Sequence, residues 1–270
     1  MSAPAILDGQ CILNTRPAHQ QAGLQTLLEA QGARVLSFPT IEIVATEATA
    51  FHQSLASNIS HYHIALFVSR NAVDGAFTFL DADKLPDDLQ LGVIGEGSYT
   101  ALAQRVGDLG VSDLDRRLIR SEPYNSEGLL AATELQQVDG KNILIFRGQQ
   151  GRTLLAEELG KRGATVNHCE VYRRQAPEYG HQDFANLVRQ QFPTLLIFTS
   201  TEGMQNLLPL VDDESRAKLL RRPWLLISER MRESAADLGH NAEIIIAAKA
   251  SDEGIQHSLG EWVKRTHTNL

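Results

Sequence analysis

Six short stretches of this chain carry side chains suited to gripping an anion. They are Thr15-Arg16, Ser69-Arg70-Asn71, Gly95-Glu96-Gly97-Ser98, Arg147-Gly148-Gln149, Thr199-Ser200-Thr201 and Ser228-Glu229-Arg230. Each follows a short apolar run and leads into a helix-like one. A turn of this kind leaves free backbone N–H groups at a helix start, in a weakly positive field. Guanidinium and hydroxyl donors beside them make a cradle for carboxylate or phosphate. Arg16, Ser69, Arg70, Asn71, Gly95, Gly97, Ser98, Arg147, Thr199, Ser200, Ser228 and Arg230 are therefore candidate ligand contacts. Ser126, read as the cap of a further helix, joins them. Taken singly, each turn is also what helix capping requires for geometry alone. As a set they point to a ligand cleft between two lobes.

Other chemistries find less support. Gly95-Glu96-Gly97 lacks the third glycine and the later acidic residue of a dinucleotide fingerprint, and no GxxxxGK[ST] loop is present. His61 and His63 alternate without companion ligands, which argues against a metal there. Cys11 and Cys169 make neither a disulfide framework nor a zinc site and read as buried thiols. No Ser–His–Asp set is recognisable, and Ser69 has no assignable base. Glu157-Glu158 and Asp212-Asp213-Glu214 read as solvated faces. Tyr172 stands apart: a phenol stays protonated at neutral pH and can donate a hydrogen bond or a proton. An aromatic packing a hinge is the plainer reading of the same residue.

The elements that must position these groups come as a duplication. A strand, an Arg turn, an amphipathic helix, a Gly-Ala stop and a second strand begin at Ile12 and again at Ile143. The offset is constant at 131 residues, 147 minus 16 for the arginines and 166 minus 35 for the valines. Downstream, Leu66-Phe67-Val68-Ser69 answers to Ile197-Phe198-Thr199-Ser200, Val93-Ile94-Gly95-Glu96 to Leu226-Ile227-Ser228-Glu229, and Ser126-Glu127-Gly128 to Asp252-Glu253-Gly254. Such a long unit, present twice, is a duplicated domain and not a solenoid. Strands alternating with helices predict an α/β protein with parallel sheets. In detail, Thr15 is a candidate cap for a helix from about Ala18 to Gln31. Ser37–Ile43, around Pro39, and Val166–Arg174 read as connectors between lobes.

At 270 residues, 43% hydrophobic and 21% charged, the chain has the material for two cores. A net charge of −8 argues against a broad nucleic-acid face, so any anion must be held by local donors. The opening residues show no basic, apolar leader, and no run approaches the length of a membrane span; a cytoplasmic location is the default expectation.

NTRP at the first turn, LFVSRNAV, VIGEGS, SEGLL, RGQQGR, EVYRR and IFTSTEG, in this order and spacing, resemble the uroporphyrinogen-III synthase family along nearly the whole chain. The resemblance implies two flavodoxin-like lobes with parallel sheets, joined by a two-stranded connector. Lobe 1 would be residues 1–37 plus 175–270, lobe 2 residues 44–168, and the linkers 38–43 and 169–174. It implies closure of the linear tetrapyrrole hydroxymethylbilane to uroporphyrinogen III, with loss of water and inversion of the last pyrrole ring. No metal or cofactor is implied, and a monomer is expected. The substrate would carry eight carboxylates, in keeping with the donor-rich turns. Tyr172 matches the family's hinge tyrosine and becomes the candidate acid, while Ser69 and Ser98 match its polar cleft positions. Asn71, where some relatives carry Arg, and Ser228-Glu229-Arg230, which replaces a more usual Gly-containing turn, depart from the pattern. A non-catalytic bilobal sensor for a small anion is the rival reading.

Overall fold

The computed structural model describes residues 5–107, 111–120, 122–180 and 182–268. Residues 1–4, 181, 269 and 270 of the expected lobe 1, and 108–110 and 121 of the expected lobe 2, lie outside the described residues. The strands are β1 (Cys11–Asn14), β2 (Arg34–Ser37), β3 (Glu42–Ala45), β4 (Ile64–Phe67), β5 (Gln90–Val93), β6 (Leu118–Ile119), β7 (Asn142–Gly148), β8 (Thr165–Gln175), β9 (Leu195–Phe198), β10 (Trp224–Leu226) and β11 (Ile244–Ile246). The helices are α1 (Ala22–Glu29), α2 (Ala50–Asn58), α3 (Arg70–Ala76), α4 (Glu96–Arg105), α5 (Val111–Arg117), α6 (Ser126–Ala131), α7 (Leu154–Lys161), α8 (Asp183–Val188), α9 (Thr201–Leu207), α10 (Asp213–Leu219), α11 (Met231–Asp237) and α12 (Asp252–Thr268). They form two compact units: Met1–Glu42 with Gln175–Leu270, and Ile43–Arg174.

The first unit holds a parallel sheet in the order β11-β10-β9-β1-β2. Numbered along the unit this is 5-4-3-1-2, the flavodoxin order, which switches direction between β1 and β9. Its strands are runs such as CILN, LLIF and WLL because both faces are covered. Leu13, Leu196, Phe198, Trp224 and Leu226 face Met204 and Leu207 of α9, Leu219 of α10 and Met231 of α11. The alternate residues Ile12, Leu195, Ile197, Leu225 and Ile245 meet Leu24 and Leu28 of α1 and Ile255, Leu259 and Trp262 of α12. The two-residue period of a strand thus sorts one apolar run between two helical layers.

The second unit holds a sheet in the order β3-β8-β7-β4-β5-β6, parallel from β8 to β6. Ala65, Phe67, Leu91, Val93, Leu144 and Phe146 pack against α3 and α4, and Ile64, Leu66, Ile143 and Ile145 against α6 and α7. The duplication recurs in space. The 131-residue offset carries β1 to β7 and β2 to β8. The series β2-β1-β9-β10-β11 then matches β8-β7-β4-β5-β6 position by position. The chain enters the second sheet at β3 and β4, before its second copy begins at β7, so sequence copies and spatial units do not coincide.

Several local expectations need correcting. The stretch 18–31 is not one helix but a 3-10 turn, Ala18–Gln20, followed by α1. Thr15 does not cap it; its hydroxyl donates to the Ile197 carbonyl at 2.7 Å, tying β1 to β9. Ser126 is the first residue of α6, and the cap is Asn125, whose Oδ1 accepts from Gly128 N at 2.7 Å. Residues 169–174, read as a linker-like strand, do lie in a strand, the end of β8, which pairs with β7 as far as Tyr172. Glu42 and Gln175, where the chain leaves and re-enters the first unit, are side by side, Gln175 Nε2 donating to Glu42 Oε2 at 2.8 Å. Among the described residues no helix is long and apolar enough to cross a membrane.

Candidate functional site

The candidate residues fall at the carboxyl ends of the strands, the edge where open parallel sheets bind ligands. In the second unit the best-defined group is Tyr172, on β8. Its ring is 5% exposed, and its hydroxyl lies 3.1 Å from Ser69 Oγ at the end of β4. Ser69 caps α3, its Oγ accepting from Ala72 N at 3.1 Å. Gly148, at the end of β7, makes room for the phenol: a Cβ there would stand 2.8 Å from two ring carbons and 3.2 Å from the hydroxyl oxygen.

A β-bulge aims the tyrosine. Phe146 pairs with Cys169 and Arg147 with Glu170, but Gly148 pairs with Tyr172, leaving Val171 as the extra residue. Exposure along β8 shows the same break, with Cys169 buried, Glu170 exposed, and Val171 and Tyr172 both buried. Two successive side chains therefore serve one face. Val171 packs on α3 where Gly75 has no Cβ, and Tyr172 reaches Ser69.

Arg147 is 8% exposed, and its guanidinium is engaged by its own loop, donating to the carbonyls of Gly148, Gly151 and Arg152 at 3.1, 2.7 and 3.4 Å. It shapes the turn after β7. Its charge adds to burial in holding the His168 ring below the ordinary histidine range. Burial, with Glu170 adding to it, pushes the Cys169 thiol up to about 12, so no thiolate stands in the core beneath Tyr172 at neutral pH.

The other candidates of this unit sit on separate turns. Arg70, half exposed, has Nε 3.8 Å from Asp74 Oδ2, and Asn71 is buried in the same first turn of α3. Gly95, at φ 81°, starts α4 in a conformation that favours glycine; Gly97 has open space around it. Ser98 is buried, 3% exposed, and does not present itself on the rim.

The first unit's edge is built differently. Arg16 Nη1 donates to Asp252 Oδ1 at the start of α12. Gln21 Nε2 donates to the carbonyls of Asn14 and Arg16, at 3.3 and 2.6 Å. Among the described residues two buried side-chain nitrogens here lack a hydrogen-bond partner, Asn14 Nδ2 and Arg16 Nε. Thr199 precedes α9, and Ser200 caps it, accepting from Gly203 N at 3.0 Å. Ser228 and the exposed Arg230 lie in the turn before α11.

The structure thus gathers Ser69, Arg147 and Tyr172 around Gly148 and leaves the rest on individual turns. Gly148, Asp252 and Gln21 were not among the candidate contacts read from sequence. The 131-residue offset already sets Gly148 against Pro17 of the first copy, and that mismatch was its signal.

A family model described as uroporphyrinogen-III synthase HemD matches residues 22–256. A uroporphyrinogen-III synthase of Salmonella typhimurium is 34% identical over 249 residues, covering 92% of this chain and 99% of that protein. One of Escherichia coli is 30% identical over 254 residues, with the same shares covered. Among solved structures, uroporphyrinogen-III synthetase from Helicobacter pylori superposes with a TM-score of 0.60 at 13% identity, covering 94% of this chain and 99% of that one. A mutant uroporphyrinogen III synthase from Thermus thermophilus gives 0.58 at 13% identity, covering 97% and 100%. These two likenesses bear on the fold.

Proposed function

The chain belongs to the uroporphyrinogen-III synthase family, and from that premise we propose how its own residues carry the reaction. The protein is a cyclising lyase of tetrapyrrole biosynthesis. It closes hydroxymethylbilane to uroporphyrinogen III, inverting the last pyrrole ring and releasing water.

Tyr172 is the acid. It protonates the departing terminal hydroxyl as the C–O bond breaks, and water leaves. The electron-poor ring left behind is attacked by the substituted carbon of the last ring, giving a spiro intermediate. The spiro carbon's original bond to the bridge from the preceding ring then breaks, and that bridge bonds to the free α-carbon on the other side of the last ring's nitrogen. This inverts the ring, and the proton lost from that carbon regenerates the phenol. The observation that carries this reading is the aimed, buried phenol at the carboxyl edge of the second sheet, its hydroxyl 3.1 Å from Ser69 Oγ. The carboxylates of the substrate are met by turn donors: backbone N–H groups at Gly95-Gly97 and Ser200, hydroxyls of Thr199 and Ser228, and the guanidinium groups of Arg16, Arg70 and Arg230. Backbone donors suit a guest whose many charges stay partly hydrated, since full burial of each would be unfavourable.

The test is to supply the linear bilane to the protein and identify the product isomer. Isomer III is expected. Isomer I alone, the product of uncatalysed end-to-end closure, overturns the assignment.

A further inference from the structure

Resting on Tyr172 as the acid, we infer that Ser69 is not a carboxylate contact but the positioning residue that orients the Tyr172 proton. Gly148 is the notch that lets the two hydroxyls meet. Either hydroxyl can donate to the other at this distance, and the two directions differ in which proton is left over. A serine hydroxyl has one proton to donate and lone pairs to accept with. Ser69 Oγ accepts from Ala72 N at 3.1 Å, which fixes one lone pair. Among the described residues its one acceptor within reach is Tyr172 Oη, also at 3.1 Å. With Ser69 Oγ–H donating to Tyr172 Oη, the serine proton is used within the pair and the phenol proton is the one left over. That leftover proton is the one the substrate's departing hydroxyl needs, so this is the direction that serves an acid at Tyr172.

The same bond steadies the oxygen once its proton has gone. In the proton-transfer step the Tyr172 O–H bond breaks, the substrate C–O bond breaks, and water forms. Negative charge appears on Tyr172 Oη, 3.1 Å from the Ser69 donor. A donor aimed at charge that develops only in the transition state raises kcat and leaves ground-state binding alone. The proton released as the macrocycle forms restores the phenol, so no co-reactant is needed.

Three features serve this one contact. The bulge at Val171 keeps Tyr172 on the helix-covered face. The bare Cα of Gly148 admits the ring, where a methyl would stand 2.8 Å from it. The backbone link from Gln149 N to Tyr172 O, 2.9 Å, locks the strand ends in register.

The experiment is a double-mutant cycle on kcat and KM with hydroxymethylbilane, using Ser69→Ala, Tyr172→Phe and the pair. Ser69→Ala is expected to lower kcat about tenfold, the scale of one hydrogen bond to a charge, with KM within about twofold. In the Tyr172→Phe background it should cause no further fall. Ser69→Thr should recover most of the rate. Ser69→Gly separates the hydroxyl from the cap, because glycine at a cap position is only slightly destabilising; it should behave as the alanine variant does. Asp212→Ala, which strips a similar cap from α10, should lower Tm and leave kcat unchanged.

Ser69→Ala that raises KM and spares kcat makes Ser69 a substrate contact and overturns the inference. So does a Ser69→Ala loss that multiplies with that of Tyr172→Phe. In both cases the acid assignment survives if Tyr172→Phe is itself slow. Full kcat in Tyr172→Phe overturns the acid assignment and this inference together.

Discussion

The strand pairs β1/β2 and β7/β8 are copies of one another, yet only the second pair presents a phenol. In the first pair each strand has 4 residues; in the second they have 7 and 11. Two prolines account for the difference. Pro17 stands where the second copy has Gly148, and Pro39 where it has Glu170, each 131 residues earlier. Proline has no N–H to give to a ladder, so a strand stops at or before it. With Gly148 and Glu170 in their place, β7 and β8 run on past the edge, a bulge fits, and Tyr172 is carried to Ser69. The first copy has Ile41 at the tyrosine's position, buried at 6% exposure, and among the described residues its capping serine, Ser200, bonds only within its own turn. On the proposed function, the two copies thus supply a reactive edge and a holding edge, through the residues that let strands continue or stop.

That contrast can be broken at its reactive side first. Tyr172→Phe should lower kcat by about 100- to 10,000-fold, the span of a general acid, while urea unfolding changes little. Ser200→Ala, on the holding side, should combine additively in log kcat with Tyr172→Phe. Coupling between them would show that the two edges do not act independently. Next in size is Gly148→Ala. A methyl 2.8 Å from the ring displaces the phenol, and a misplacement on the order of 1 Å should reduce kcat about 10- to 100-fold. Unchanged kcat would mean that the ring position is not critical.

On the holding side the measurable quantity is stability. Asp252→Ala leaves Arg16 without its carboxylate, next to a guanidinium nitrogen that already lacks a partner. The pair is neither open nor fully enclosed, with side chains 17% and 27% exposed, so a loss of about 1–3 kcal/mol in urea unfolding is expected, between the values for surface and buried pairs.

The smallest effect is acid sensitivity. Burial against Trp224 holds the His240 ring below the usual histidine value, although its hydrogen bond to the Arg222 carbonyl pulls the other way. The unfolded chain takes up this proton first. The contribution is therefore complete above about pH 6.5 and is lost as pH falls toward the lower folded-state value. His240→Gln should flatten the acid limb of a Tm–pH curve more than His168→Gln, whose ring is more exposed.

The strands and their parallel arrangement could be read from sequence because buried parallel strands are unbroken apolar runs bounded by turn residues. The family could be read from the order of those turns. What each turn side chain does was not legible. Tyr124-Asn125-Ser126 offers two good caps in succession, and cap preference does not separate Asn from Ser. Arg16 and Arg147 align in sequence, but one pairs with a carboxylate 236 residues away and the other with its own loop carbonyls. The aim of Tyr172 depended on a bulge. Its trace was the pair Val171-Tyr172, two large apolar neighbours that break the Cys169-Glu170-Val171 alternation.

The 2.8 Å contact between Glu42 and Gln175 has a practical meaning. It marks a seam at which one polypeptide is threaded into another and withdrawn at the same spot. A short bridge from 42 to 175 would close the outer piece over the excised middle, and the middle would be left as one uninterrupted stretch. Cutting there is the natural way to test whether the two units can be expressed apart, with complementation between them as the readout of what each contributes.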